Sequence, residues 1–85
     1  MVDQKEILVG EITHYFGKIQ VAVLKLSKSL EVGDEIRIQG GEIDFTQEVK
    51  SMEMDHQKVE KAKAGQSVGL AVKEKVHPGY KAFKI

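Results

Sequence analysis

The spacing of backbone breakers constrains this chain more than any other feature. Gly10, Gly17, Gly33, Gly40-Gly41, Gly65, Gly69 and Pro78-Gly79 interrupt it at short intervals, the punctuation of a β protein rather than of a helical one. Between the breaks, apolar residues recur with period two far more often than with the 3.6 period of a helix, as in Ile36 and Ile38 or Val68, Leu70 and Val72. The pattern predicts strands over residues 6–15, 19–26, 35–39, 44–55, 58–61 and 67–73, with a closing segment over 81–84. Val21, Val23, Ile36, Ile38, Val49, Val68, Leu70 and Val72 are expected inside. The phase shift from Val23 to Leu24 and Leu26, and a second one near Ser51, predict bulges. Residues 56–63, rich in Lys, Gln, Glu and Ala, are the one stretch with any helical character.

With 85 residues the chain has room for one core, so residues 1–85 are read as a single domain with no space for a catalytic domain beside it. The absence of cysteine removes disulfides, thiolate nucleophiles and sulfur metal sites together, and fits a cytoplasmic monomer whose stability rests on packing. Residues 1–6 are charged where a signal peptide is apolar, and the longest apolar run is Val21-Ala22-Val23-Leu24. Neither secretion nor membrane insertion is expected. The formal net charge is zero, yet residues 1–55 carry six basic and eleven acidic side chains whereas residues 56–85 carry seven basic and two acidic. The fold is therefore expected to have a polar axis, unless strands from the two halves interleave.

No constellation of catalytic groups is apparent. The phosphate loop G-x-x-x-x-G-K-[ST] is missing, so no nucleotide is expected to bind. His14, His56 and His77 stand far apart without the spacing of metal ligands, and no serine lies in G-x-S-x-G. Glu53 with Asp55, or Asp34 with Glu35, read as solvated charges rather than an acid and base pair. Met52 and Met54, alternating with Glu53, read as core. No catalytic residue, metal or cofactor is assigned, and the chain is expected to be a binding module and not an enzyme.

An all-β chain this small has no spare elements with which to cover its sheet edges, so a closed barrel is expected. Leu30-Glu31-Val32-Gly33-Asp34-Glu35-Ile36-Arg37-Ile38 resembles the L-x-V-G-D-x-I-x-I stretch of the second domain of translational GTPases such as the elongation factors. Ala62-Lys63-Ala64-Gly65-Gln66-Ser67-Val68-Gly69-Leu70 resembles the same domain's A-x-x-G-x-x-V-G-L, and Val49 to Met54 its intervening strand. Two departures accompany the match: the glycine before the first motif is lost within Ser27-Lys28-Ser29, and Tyr80 replaces the acid that follows Gly79. The resemblance implies a small closed six-stranded antiparallel Greek-key barrel of the translation-protein type that binds tRNA or ribosomal RNA. It carries over Glu53, at the position facing the terminal nucleotide of aminoacylated tRNA. The basic side chains His56, Lys58, Lys61 and Lys63 are expected to gather at one end of the barrel and meet phosphates. Similar barrels are appended to collagenase-type peptidases, which implies the alternative of a protein-interaction module assisting a partner enzyme.

Overall fold

Alternating apolar and polar residues build ten strands in the computed structural model, which describes residues 7–85; no helix forms among the described residues. In chain order they are β1 (Ile7–Phe16), β2 (Val21–Leu26), β3 (Leu30–Glu31), β4 (Glu35–Gly40), β5 (Ile43–Glu48), β6 (Met52–Met54), β7 (Gln57–Val59), β8 (Lys61–Ala62), β9 (Ser67–Ala71) and β10 (Lys81–Lys84). Eight of them form one antiparallel sheet in the order β5-β4-β10-β1-β2-β9-β6-β7, and β3 with β8 forms a small second sheet. The architecture is all-β and antiparallel. A closed six-stranded ladder is not what the pairing shows, because β5 and β7 are the two edges of the large sheet and share no backbone ladder.

One face of the large sheet is apolar, and with no helix to cover it the strands cover one another. Val9, Ile12, Ala22, Leu24, Leu26, Ile36, Ile38, Phe45, Val68, Leu70 and Ala82 join a single buried cluster. Leu30 and Ala62 bring the small sheet into that cluster. Met52 is buried and Met54 packs against the same cluster, as the alternation with Glu53 predicts. Each large buried side chain contributes roughly 1.5–3 kcal/mol relative to exposure, which makes this cluster the main stabilising term of a chain without disulfides.

The phase of β2 differs from expectation. Ala22, Leu24 and Leu26 face the core, whereas Val21 and Val23 stand half-buried on the outer face with the exposed Lys25. There is no phase shift within β2; the irregularities lie in β1, between Leu8 and Gly10 and between Ile12 and His14. They let Val9 and Ile12, three apart, both point inward. Near Ser51 the chain leaves the sheet altogether. After β5, Val49 N–H donates to Asp34 O at 2.8 Å and Val49 O accepts from Gly33 N–H at 2.8 Å, before β6 begins. Residues 56–63 are strand and turn rather than helix, because β7 pairs with β6 and β8 with β3. The predicted start of the first strand, Glu6, lies outside the described residues.

Candidate interaction surfaces

The five residues assigned to RNA are spread over β6, the β6–β7 turn, β7, β8 and the turn that follows β8. Glu53 sits at the centre of β6, exposed on the outer face, with Lys58 opposite it on β7 and Gly69 opposite it on β9. His56 occupies the β6–β7 turn, where Asp55 and His56 both have positive φ, 55° and 64°, the conformation of a tight type I′ hairpin. Lys61 lies on β8 in register with Glu31, and Lys63 follows in the turn that Gln66 caps through its side-chain oxygen on Lys63 N–H at 2.8 Å. Two of the three lysines are thus set opposite acids by strand register, which offsets the positive field that phosphate binding needs.

The same interleaving blurs the expected polar axis. Lys81 reaches Glu11 at 4.0 Å and Lys84 reaches Asp34 at 3.4 Å, each joining the basic end of the sequence to its acidic part. On the outer face of β4 and β5 the Arg37 guanidinium grips Asp44 with two bonds, Nε to Oδ1 at 2.7 Å and Nη2 to Oδ2 at 2.5 Å. Hydrogen bonding from Arg37 is the main cause holding the Asp44 carboxyl below its ordinary value of 3.8. The three histidines lie on different elements: His14 stacks on Phe16 with centroids 6.3 Å apart, His77 meets Tyr80 edge-on at 5.6 Å, and His56 is in its turn.

What the residue pattern missed is the outer face of β1, β2 and β9. Register places Phe16 beside Val21 and Val21 beside Ala71, and in the next row His14 beside Val23 and Val23 beside Gly69. Phe16 is 49% exposed, and Ile19, in the turn between β1 and β2, is 66% exposed. These side chains make an apolar strip with Lys25 and Glu11 beyond one side and Glu53 and Lys58 beyond the other. Contiguous exposed apolar surface rimmed by polar groups marks interaction sites. The available signal was Lys25, which shares a face with Val21 and Val23 and could not be buried with them.

Comparison with known proteins gives this surface a context. No family model matches the chain. An uncharacterized protease of Methanocaldococcus jannaschii is 34% identical over 80 residues, which is 93% of this chain and 20% of that protein. A collagenase of Porphyromonas gingivalis is 37% identical over 83 residues, 95% of this chain and 20% of the collagenase. The chain therefore spans about a fifth of the length of the curated relatives it matches. The C-terminal domain of a Geobacillus thermoleovorans protein assigned to the U32 peptidases superposes with a TM-score of 0.86 at 23% identity, covering 100% of this chain and 98% of that domain. The fold is that of a U32 peptidase C-terminal domain.

These relatives overturn the elongation-factor reading and the translation role drawn from it. The glycine-turn motifs that suggested it are properties of the strand connections: Gly33 and Gly65 have φ of 101° and 91°, a backbone need that any sheet with these turns shares. They carry information about fold and none about a bound RNA.

Proposed function

We propose that this chain is a non-catalytic accessory module of a peptidase, a protein-interaction domain that associates with a peptidase body through the apolar outer face of β1, β2 and β9. The observation that carries the reading is the extent of the sequence matches. They cover nearly all of this chain and about a fifth of each protease or collagenase, the proportion of one appended domain. The remaining four-fifths of those relatives is the kind of surface against which such a domain would rest, and Phe16, Ile19, Val21 and Val23 are the side chains that would be covered. Transfer of apolar surface from water drives such association.

We further infer that the large sheet is a barrel closed at its seam by side chains instead of by a further ladder. What supports this is Gln47 of β5, whose amide donates to Ala71 O at 2.8 Å and accepts from Lys73 N–H at 2.9 Å, at the end of β9. A single carboxamide thereby supplies the donor and acceptor that a neighbouring backbone would offer.

The test is capture of the tagged chain with its partners from its own cells, followed by the same capture with Phe16→Asp and Ile19→Asp together. A peptidase is expected with the unaltered chain and is expected to fall on the order of tenfold or more with the double variant, whose exposed changes should alter folding stability by under about 1 kcal/mol. Recovery of partners with no peptidase among them, or equal recovery by the variant, counts against the reading. The purified chain alone should leave casein and gelatin uncut.

A further inference from the structure

The two edges of the large sheet differ in a way that the apolar face does not explain. β7 is three residues long, leaves a tight turn with two left-handed residues, and presents Lys58. Short, sharply turned and charged edges are how sheets avoid taking on another strand. β5 is twice as long, and its charged side chains are the acids Asp44 and Glu48 instead of a lysine. It is six residues long, its register with β4 is unbroken from Glu35↔Glu48 to Gly40↔Ile43, and it contains no proline or lysine.

The direction of its backbone groups follows from the neighbouring bonds. In an antiparallel pair, residues alternate between directing both backbone groups at the partner and directing both away. Val49 directs both at the Gly33-Asp34 segment that leads into β4. Counting back in twos, Gln47, Phe45 and Ile43 direct theirs at β4, and Glu48, Thr46 and Asp44 direct theirs away. The far side of β4 agrees: Glu35 O accepts from Ile85 N–H, so Glu35 faces the β10 side and Ile36 faces β5.

Charge narrows what can pair there. Asp44 and Glu48 both stand exposed on the outer face, and Asp44 is held by Arg37 while Glu48 makes no ion pair among the described residues. A second copy pairing antiparallel about Thr46 would set Asp44 against Glu48 on both sides, and like charges directly opposite are destabilising. At the end of the edge lies an open cleft of about 370 Å³ lined by Gln47, Glu48, Lys50, Ser51 and residues 71–73, within the size of sites that take a side chain or small ligand.

We propose that the free edge of β5 is a peptide-binding site. An extended segment of a partner polypeptide adds to it as a further strand, bonding to the outward backbone groups of Asp44, Thr46 and Glu48 and placing a lysine or arginine opposite Glu48, with a neighbouring side chain entering the cleft. The site is separate from the apolar face, and it stands whether or not a peptidase body covers that face.

The probe is a terminally blocked peptide of alternating valine and lysine, titrated into the labelled protein and followed by amide hydrogen exchange. Saturable binding is expected, with exchange at Thr46 and Glu48 slowed on the order of tenfold or more. The same peptide with every backbone amide methylated should not bind, and a valine and glutamate version should bind more weakly. Thr46→Pro should abolish binding with the β4–β5 ladder intact, since the Thr46 N–H faces outward and an edge strand tolerates proline there. If that variant fails to fold, the methylated peptide decides alone. Absence of saturable binding up to about millimolar peptide, equal binding by the methylated peptide, or slowed exchange confined to other strands overturns the proposal. So does slowed exchange at Thr46 and Glu48 without peptide in a concentration-dependent dimer, which would make a second copy the occupant.

Discussion

A Cβ built on Gly40 would lie 2.2 Å from Tyr80 Cδ1 and 2.3 Å from Cγ, and one on Gly41 would lie 2.7 Å from the Tyr80 hydroxyl oxygen. The bare backbone of the β4–β5 hairpin and the tyrosine ring therefore occupy each other's space, and the replacement of an acid by Tyr80 acquires a structural reason. The departure was visible in the sequence; its partner was not, because the two segments are far apart in the chain and only the β10–β4 pairing brings them together. Gly40→Ala is expected to destabilise by about 1–3 kcal/mol as the ring is forced aside. Urea unfolding measures it, and adding Tyr80→Ala should recover part of the loss, since the two changes act on one contact. An unaltered midpoint in the single variant would mean that the ring moves without resistance. Gly69 is a contrasting case. A Cβ there would meet only Val21 Cγ1 at 3.4 Å, an ordinary contact.

β2 carries the clearest lesson at the scale of an element. Val21-Ala22-Val23-Leu24 is uniformly apolar, so period two cannot say which pair faces inward, and the alternation of Ile19, Val21 and Val23 with Gln20 and Ala22 points to the wrong one. The ladder with β9 resolves it: Ala22 sits opposite the buried Leu70 and Leu24 opposite the buried Val68, while Val21 and Val23 sit opposite Ala71 and Gly69 on the outside. A one-residue error of phase exchanges the faces of a strand. Leu24→Ala is expected to cost about 2–5 kcal/mol through the cavity it leaves, and Val23→Ala under about 1 kcal/mol because little buried volume is removed. Thermal or urea unfolding of the two single variants checks the phase; comparable losses would contradict it. By contrast β4 and β9 are legible directly, since Ile36, Ile38, Val68 and Leu70 are flanked by polar or small residues and only one phase buries their bulk.

At the scale of the whole molecule, stability depends on how one sheet covers its own apolar face, and the seam beside β5 is the place where that cover rests on a side chain. Gln47→Ala removes both bonds of the carboxamide to Ala71 and Lys73, for an expected loss of about 0.5–1.5 kcal/mol, because water can replace part of them at an exposed site. Amide exchange at Lys73 should quicken in the variant while exchange in β1 and β2 stays unchanged; uniform quickening would show the seam to be coupled to global unfolding instead. Ten strands where about six were expected follow from the same economy, as β3 and β8 are two-residue pieces that a sequence pattern cannot separate from turns. Local pattern alone establishes the all-β class, the places of the glycine turns at Gly33 and Gly65, and six of the eight residues expected inside, because breakers and alternation are local and act through the backbone of a few neighbours. Contacts between strands settle which face of β2 is inside, that the lysines of β7 and β8 stand opposite acids, and that β5 has no strand paired on its outer side. Those are matters of register between strands distant in the chain, and register is set by the burial of all faces together.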